Sequence, residues 1–211
     1  LLLTLLATGA FAQGWFGAGL VMGWFMTFLD TVDGKLARVT VTASRFGDYL
    51  DHGIDLLHPP LWYAAWGMGV AAQWGGPVPV ATALWLMLSG YIGGRLCEGA
   101  FHLFAGSFSL FVWRPLDSIN RLITARRNPN LILLTLFWLG GNPAGGLWAV
   151  VLWHLASTLF LFQRVLYAIC IRLRRGRLES WLANVDAERD RYPLAVRMFT
   201  RQPANAEPAR R

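Results

Sequence analysis

Four aspartates lie within one short stretch of the chain and carry its most distinctive chemistry. Asp30 and Asp33 are about one helical turn apart, as are Asp51 and Asp55, so on helices each pair projects from one face. Two helix ends that meet around the intervening loop would bring the four carboxylates together. Because like charges that close repel one another, the pattern predicts a cation among them. An all-oxygen ligand set favours one or two hard divalent ions, such as Mg²⁺, Mn²⁺ or Ca²⁺.

The residues between the two aspartate pairs favour a phosphorylated ligand. Gly34, Ala37 and Gly47 are small, which leaves space for a ligand to approach the backbone. The guanidinium group of Arg38 is suited to binding phosphate oxygens. Together with the carboxylates, these residues predict a site for a diphosphate bridged by metal ions.

The complete pattern resembles the signature of the CDP-alcohol phosphatidyltransferases, and every specified position is present. The positions run Asp30-x2-Asp33-Gly34-x2-Ala37-Arg38-x8-Gly47-x3-Asp51-x3-Asp55. Fixed spacing over so many positions makes a chance match improbable. The resemblance implies a reaction in which an acceptor hydroxyl attacks the phosphorus of a CDP-linked donor, commonly CDP-diacylglycerol, and CMP leaves.

The resemblance also implies a role for each motif residue. Asp30, Asp33, Asp51 and Asp55 correspond to the ligands of two Mg²⁺ or Mn²⁺ ions, and Asp55 also corresponds to the general base that activates the acceptor hydroxyl. The nucleotide-contacting positions are occupied by Gly34, Ala37, Arg38 and Gly47. In addition, the resemblance implies a homodimer.

The composition predicts a multi-pass membrane protein. The 211 residues are 55% hydrophobic, include 11 Trp and have a mean hydropathy of +0.41, which is too apolar for an ordinary soluble domain. We expect an all-α bundle of about six transmembrane helices, in which Leu1 to Ala12 is the remainder of a truncated first helix. Cys97 and Cys170 lack metal-ligand spacing and are interpreted as apolar filler residues.

The hydropathy pattern also predicts where the elements lie. The second helix is expected to run from Gly14 through Leu29 and to end in Asp30 and Asp33, and Lys35 to Gly47 is expected to form the helix end and an interfacial loop. The third helix is expected to begin at Asp51. The other predicted elements are a fourth helix from Val80 to about Glu98, an interfacial amphipathic segment over Ala100 to Asn128, a distorted fifth helix over Pro129 to Gly140 and a sixth over Leu147 to Ile171. Residues 1–171 would form the membrane domain, and residues 172–211 a basic cytoplasmic tail.

The distribution of charge predicts the orientation. The net charge is +7, and the basic residues concentrate in Lys35 to Arg45, Arg114 to Arg127 and the tail from Arg172. The turns over Gln73 to Pro79 and Gly140 to Gly146 contain no Lys or Arg. By the positive-inside rule the basic side is cytoplasmic, which places the aspartates at the cytoplasmic face of the cell membrane. Because the charge follows the topology, it does not indicate nucleic acid as a partner.

The acceptor alcohol is less strongly specified. Arg95 lies at an otherwise apolar helix end, where an unpaired charge is costly, and is the best candidate for contacting a phosphorylated acceptor. Glu98 is either its ion-pair partner or a contact for a cationic acceptor such as choline. His58 follows Asp55 by one turn, and a structural hydrogen bond is favoured over a contact with the acceptor.

Three other functions are compatible with parts of the pattern. A related enzyme would transfer phosphocholine or phosphoethanolamine from a CDP-alcohol to a lipid hydroxyl. A cation or proton transporter would also place carboxylates in a membrane, but the chain has no acidic residue between Leu56 and Cys97. A catalytically inactive scaffold of the same family would be expected to have a degraded motif, whereas this motif is intact.

Overall fold

The computed structural model describes residues 2–40, 45–74, 79–105 and 108–200. Side chains are not described for residues 34–40, 45–52, 54, 55 and 74. The predicted all-α fold is confirmed, since the described residues form helices and turns and no strand. The helices are α1 (Leu2–Ala12), α2 (Phe16–Thr40), α3 (Arg45–Trp74), α4 (Val80–Ala105), α5 (Pro115–Ile123), α6 (Arg127–Leu139), α7 (Pro143–Arg175), α8 (Val185–Glu188) and α9 (Pro193–Phe199), with 3₁₀ turns at Leu110–Val112 and Trp181–Asn184.

The chain divides into two compact units. The first unit contains Leu1–Gly93 and Ala125–Thr158, and the second contains Gly94–Thr124 and Leu159–Arg211. The first unit therefore holds α1, α2, α3 and α6 together with the opening parts of α4 and α7. The remaining parts of α4 and α7 belong to the second unit with α5, α8 and α9.

Aromatic residues from α1, α2 and α3 form the core of the first unit. Trp66 is fully buried, and its ring centroid lies 5.2 Å from that of Phe11 and 4.4 Å from that of Phe16. A buried indole N–H needs an acceptor, and Trp66 Nε1 donates to the carbonyl of Pro143 at 2.9 Å. These contacts pack α3 against the turn between α1 and α2.

Gly69 on α3 allows this close packing. A Cβ atom added to Gly69 would lie 2.2 Å from the carbonyl oxygen of Phe11 and 3.0 Å from Gly14. Gly14 itself has a φ of 75°, a conformation that favours glycine, and its carbonyl accepts a hydrogen bond from Gln73 Nε2 at 2.8 Å. The turn and the helix face opposite it thus both depend on glycine.

We expect Gly69→Ala to lower the free energy of unfolding by about 1–3 kcal/mol, because the added methyl group meets backbone atoms. Gly53→Ala is the matched control, since a Cβ atom at Gly53 on the same helix meets nothing within 4 Å. Thermal unfolding in detergent measures both variants. Equal melting temperatures for the two would contradict the packing described here.

The second unit has its own core and a docked C-terminal segment. Phe101, Leu110, Phe111 and Trp113 are buried together with residues from the second half of α7. The segment after α7 contributes the buried side chain of Trp181, which packs in a separate cluster with residues of α9. Residues 176–199 therefore fold onto this unit.

Several predicted helix boundaries are wrong, among them those of the sixth predicted helix, since α7 runs from Pro143 to Arg175 rather than from Leu147 to Ile171. α2 does not end in Asp30 and Asp33 but continues through both to Thr40, and α3 begins at Arg45 rather than Asp51. α4 reaches Ala105, so the predicted interfacial segment opens as the last turns of a helix. Hydropathy marks where a chain becomes polar, but good helix formers such as Lys35, Leu36 and Arg38 continue a helix beyond that point.

Two helices among the described residues, α4 and α7, are long and apolar enough to cross a membrane. The predicted bundle of about six spans is not confirmed. Both helices expose large apolar side chains, with Trp85 at 72%, Leu103 at 87% and Leu159 at 68% exposure. Exposed apolar surface of this kind suits contact with lipid.

Candidate active site

α2 and α3 carry the four aspartates of the motif. Asp30 and Asp33 lie one turn apart on α2, and Asp51 and Asp55 lie one turn apart on α3. The predicted placement of each pair along one helix is therefore observed. The side chains of Asp51 and Asp55 lie outside the described residues.

The same limit holds for the predicted nucleotide contacts. Gly34, Ala37 and Arg38 belong to the last turns of α2, and Gly47 belongs to the first turn of α3. Their side-chain surroundings lie outside the described residues. Their assignment as nucleotide contacts stays a prediction.

Asp30 forms an ion pair with Arg127 at the start of α6. Arg127 Nη2 donates to Asp30 Oδ2 at 2.6 Å, and the two side chains are only 14% and 27% exposed. Arg127 Nη1 also lies 3.6 Å from Met26 Sδ, one turn earlier on α2. The ion pair holds one oxygen of Asp30 in a defined direction.

The ligand atoms in the described part of the site are of the type that hard divalent cations prefer. Asp30 and Asp33 offer only oxygen donors; Asp30 is partly buried and Asp33 is exposed. Within the described residues no group of three or more Asp, Glu, His or Cys side chains comes together. The predicted metal site therefore needs Asp51 and Asp55 in addition to the two described carboxylates.

Two consecutive prolines follow Asp55 inside α3. Pro59 and Pro60 have no backbone N–H, so the carbonyl groups of Asp55 and Leu56 lose their helical donors. The hydroxyl of Tyr91 on α4 donates to the carbonyl of Leu56 at 2.8 Å and replaces one of these hydrogen bonds. Tyr91 thereby supports the helix directly after the predicted general base.

We expect Tyr91→Phe to slow CMP release severalfold, because α3 loses a hydrogen bond worth about 0.5–1.5 kcal/mol beside Asp55. Tyr167→Phe is the control, since Tyr167 is 41% exposed and lies on α7. Initial rates at saturating donor test the effect. A rate for Tyr91→Phe equal to that of the control would show that this hydrogen bond does not support the site.

Two other predicted contacts have defined surroundings. Arg95 Nη2 lies 3.0 Å from Glu98 Oε1, which confirms Glu98 as its ion-pair partner. The contact of Arg95 with an acceptor stays a prediction. His58 is 3% exposed and its ring lies edge-on to Trp62 with centroids 5.0 Å apart, in keeping with a structural role.

Aspartate pairs on two consecutive helices of an apolar all-α protein define a candidate phosphoryl-transfer site, and the comparisons with known proteins find a family model that matches part of the chain. Residues 1–97 match the model of the CDP-alcohol phosphatidyltransferase family, which confirms the predicted resemblance over this range. The match contains α1 to α3, most of α4 and every position of the motif. No curated protein and no solved structure matched the chain. The matched family is one of membrane-integral transferases of phospholipid biosynthesis.

Proposed function

We propose that this protein transfers a substituted phosphate group, the phosphatidyl group of CDP-diacylglycerol, to the hydroxyl of a small polar acceptor and releases CMP. The observation that carries the proposal is the intact aspartate motif inside the family match over residues 1–97. The reaction depends on divalent metal ions. It contributes to phospholipid biosynthesis.

The four aspartates have two proposed roles, metal binding and general-base catalysis. Asp30, Asp33, Asp51 and Asp55 would hold two Mg²⁺ or Mn²⁺ ions, which neutralise negative charge on the diphosphate and on the departing CMP. Asp55 accepts the proton of the acceptor hydroxyl while the oxygen of the acceptor forms a bond to phosphorus. The bond from phosphorus to the CMP oxygen breaks, and CMP leaves with the electron pair.

Reactions of this kind depend mainly on positioning and electrostatics. The one-turn spacing within each aspartate pair places its two carboxylates near each other along α2 or α3. Arg127 Nη2 lies 2.6 Å from Asp30 Oδ2 and orients that carboxylate. Gly34, Ala37 and Gly47 leave room for the nucleotide, and Arg38 binds its phosphate oxygens. The acceptor and the donor phosphorus are thereby brought together in one geometry.

The proposed location is the cell membrane, with the site open to the cytoplasm. The basic segments of the sequence support this orientation. A site at that interface is accessible both to a soluble acceptor and to a lipid-linked donor. The proposed partners are membrane lipids and a second copy of the chain, and a phosphorylated acceptor near Arg95 is favoured by the number of arginines that follow it.

Product analysis tests the proposed reaction. Purified protein in detergent is given Mg²⁺ or Mn²⁺, CDP-diacylglycerol and one acceptor at a time: glycerol phosphate, inositol phosphate or serine. A parallel reaction contains CDP-choline and diacylglycerol. We expect one acceptor to yield a new phospholipid in equal amount to CMP. Product formation only from CDP-choline would replace the proposed donor, and no product from any pair, with protein that still binds CDP-diacylglycerol, would contradict the proposed acceptors.

A further inference from the structure

A cleft of about 510 Å³ lies in the second unit, outside the residues that match the family. Three parts of the chain form its walls. They are the segment from Trp113 to Leu116, the last turns of α7 from Arg164 to Arg175, and the C-terminal segment from Arg177 to Tyr192. Asp30 and Asp33, the motif residues whose side chains the structure describes, are not among its lining residues.

Hydrogen bonds fix the C-terminal wall of the cleft. The backbone N–H of Trp181 donates to the carbonyl of Trp113 at 3.2 Å, and Ser180 Oγ donates to the carbonyl of Val112 at 2.5 Å. The indole N–H of Trp181 donates to Ser118 Oγ at 2.9 Å. Since Trp181 is only 5% exposed, the segment is docked by burial as well as by hydrogen bonds.

Two guanidinium groups share the same pair of aromatic rings in this cleft. Arg114 Cζ lies 5.1 Å from the centroid of Trp113 and 5.3 Å from that of Tyr167. Arg164 Cζ lies 4.8 Å and 5.5 Å from the same two centroids. Cation–π contacts stabilise each guanidinium group and hold the two positive charges close together.

The positive charge of the cleft exceeds its negative charge. Five arginines line the cleft, namely Arg114, Arg164, Arg175, Arg177 and Arg191, against Glu179 and Glu188. The buried carboxylate of Asp117 compensates Arg164 through hydrogen bonds of 2.6 Å and 2.8 Å. In the part of the chain that the structure describes, Arg114, Arg175 and Arg177 form no salt bridge, although the charge of Asp117 also acts on Arg114. These three guanidinium groups line the cleft.

We propose that this cleft binds the anionic phosphate of a phosphate ester, with the headgroup of an anionic phospholipid as the favoured source. Guanidinium groups bind phosphate oxygens through paired hydrogen bonds. Trp and Tyr side chains are typical of the headgroup level of a membrane. Leu116, which is 48% exposed at the edge of the cleft, and Tyr167, which is 41% exposed, offer apolar surface next to the arginines. A soluble phosphate ester is the other source of the same chemistry.

Isothermal titration of the full-length chain in detergent tests this site. The probes are dihexanoyl phosphatidylglycerol, dihexanoyl phosphatidylcholine and glycerol phosphate, each in the presence of EDTA so that metal-dependent binding at the aspartates does not contribute. The cleft variant is Arg114→Gln with Arg177→Gln. The matched control is Arg172→Gln with Arg174→Gln, which removes the same charge from exposed residues outside the cleft.

We expect the cleft variant to bind phosphatidylglycerol at least about tenfold more weakly than the wild type, and the control to bind it normally. Binding of phosphatidylglycerol but not glycerol phosphate supports a lipid headgroup, whereas binding of both supports a soluble phosphate ester as well. Equal losses in the two variants, or no loss in either, would overturn the proposal.

A second measurement covers the case in which the cleft variant does not elute like the wild type in gel filtration. The wild type should then bind phosphatidylglycerol at least about tenfold more tightly than phosphatidylcholine, and equal affinities would overturn the proposal. These titrations measure binding without turnover. Their outcome is therefore independent of the proposed transfer reaction.

Discussion

The Asp55→Asn variant is expected to release CMP from CDP-diacylglycerol at least about a hundredfold more slowly than the wild type. General-base catalysis contributes about 10²- to 10⁴-fold to such reactions, and an amide neither accepts the proton nor provides the charge that holds a cation. Asp55 lies on α3, one turn after Asp51 and one turn before the proline pair. Initial rates with saturating Mg²⁺, donor and acceptor measure the loss.

Asp48→Asn is the control for this experiment. Asp48 is on the same helix as Asp55 but outside the motif, and the sequence predicts an ordinary loop or capping residue at this position. The control should retain nearly the full wild-type rate. Equal rates for Asp55→Asn and Asp48→Asn would show that Asp55 is not the general base.

The second large effect is expected at the ion pair between Asp117 and Arg164. Asp117 is fully buried, and Arg164 Nε and Nη2 donate to its two oxygens at 2.6 Å and 2.8 Å. Burial raises the pKa of Asp117, while the hydrogen bonds and the charge of Arg164 act to lower it. Removing one partner of a buried pair leaves an uncompensated charge, so we expect Asp117→Ala to lower the free energy of unfolding by about 3–5 kcal/mol.

Chemical denaturation in detergent, followed by circular dichroism, measures this change. Asp186→Ala is the matched control, because Asp186 forms an exposed ion pair with Arg189 at 2.9 Å and such pairs contribute little. Replacing both buried partners, as in Asp117→Leu with Arg164→Met, should be less destabilising than Asp117→Ala. A double variant less stable than the single variant would mean that the pair itself, rather than an orphaned charge, carries the stability.

Local patterns in the sequence predicted the features that depend on nearby residues. The motif predicted the family whose model matches residues 1–97, and Arg95 and Glu98 are close enough along one helix for their spacing to predict the ion pair. The all-α fold follows from the long apolar runs. The end of α2 could not be found in this way, because hydropathy reports contact with lipid and not the continuation of helical backbone.

Contacts between distant parts of the chain could not be predicted from one sequence. Asp30 and Arg127 are 97 residues apart, and nothing in their local surroundings indicates that they pair. No role was predicted for Asp117, because the local sequence around a single acidic residue in a short amphipathic helix does not show that its side chain is buried. The docking of Trp181 likewise depends on a tertiary surface that no local pattern describes.

The most direct test of the proposed reaction is the metal dependence of acceptor-dependent CMP release. Purified protein is assayed with CDP-diacylglycerol and its preferred acceptor, then after EDTA treatment, and again after Mg²⁺ or Mn²⁺ is restored. If the four aspartates hold the metal ions as proposed, release stops with EDTA and returns with the ion. CMP release that continues unchanged in EDTA would contradict it.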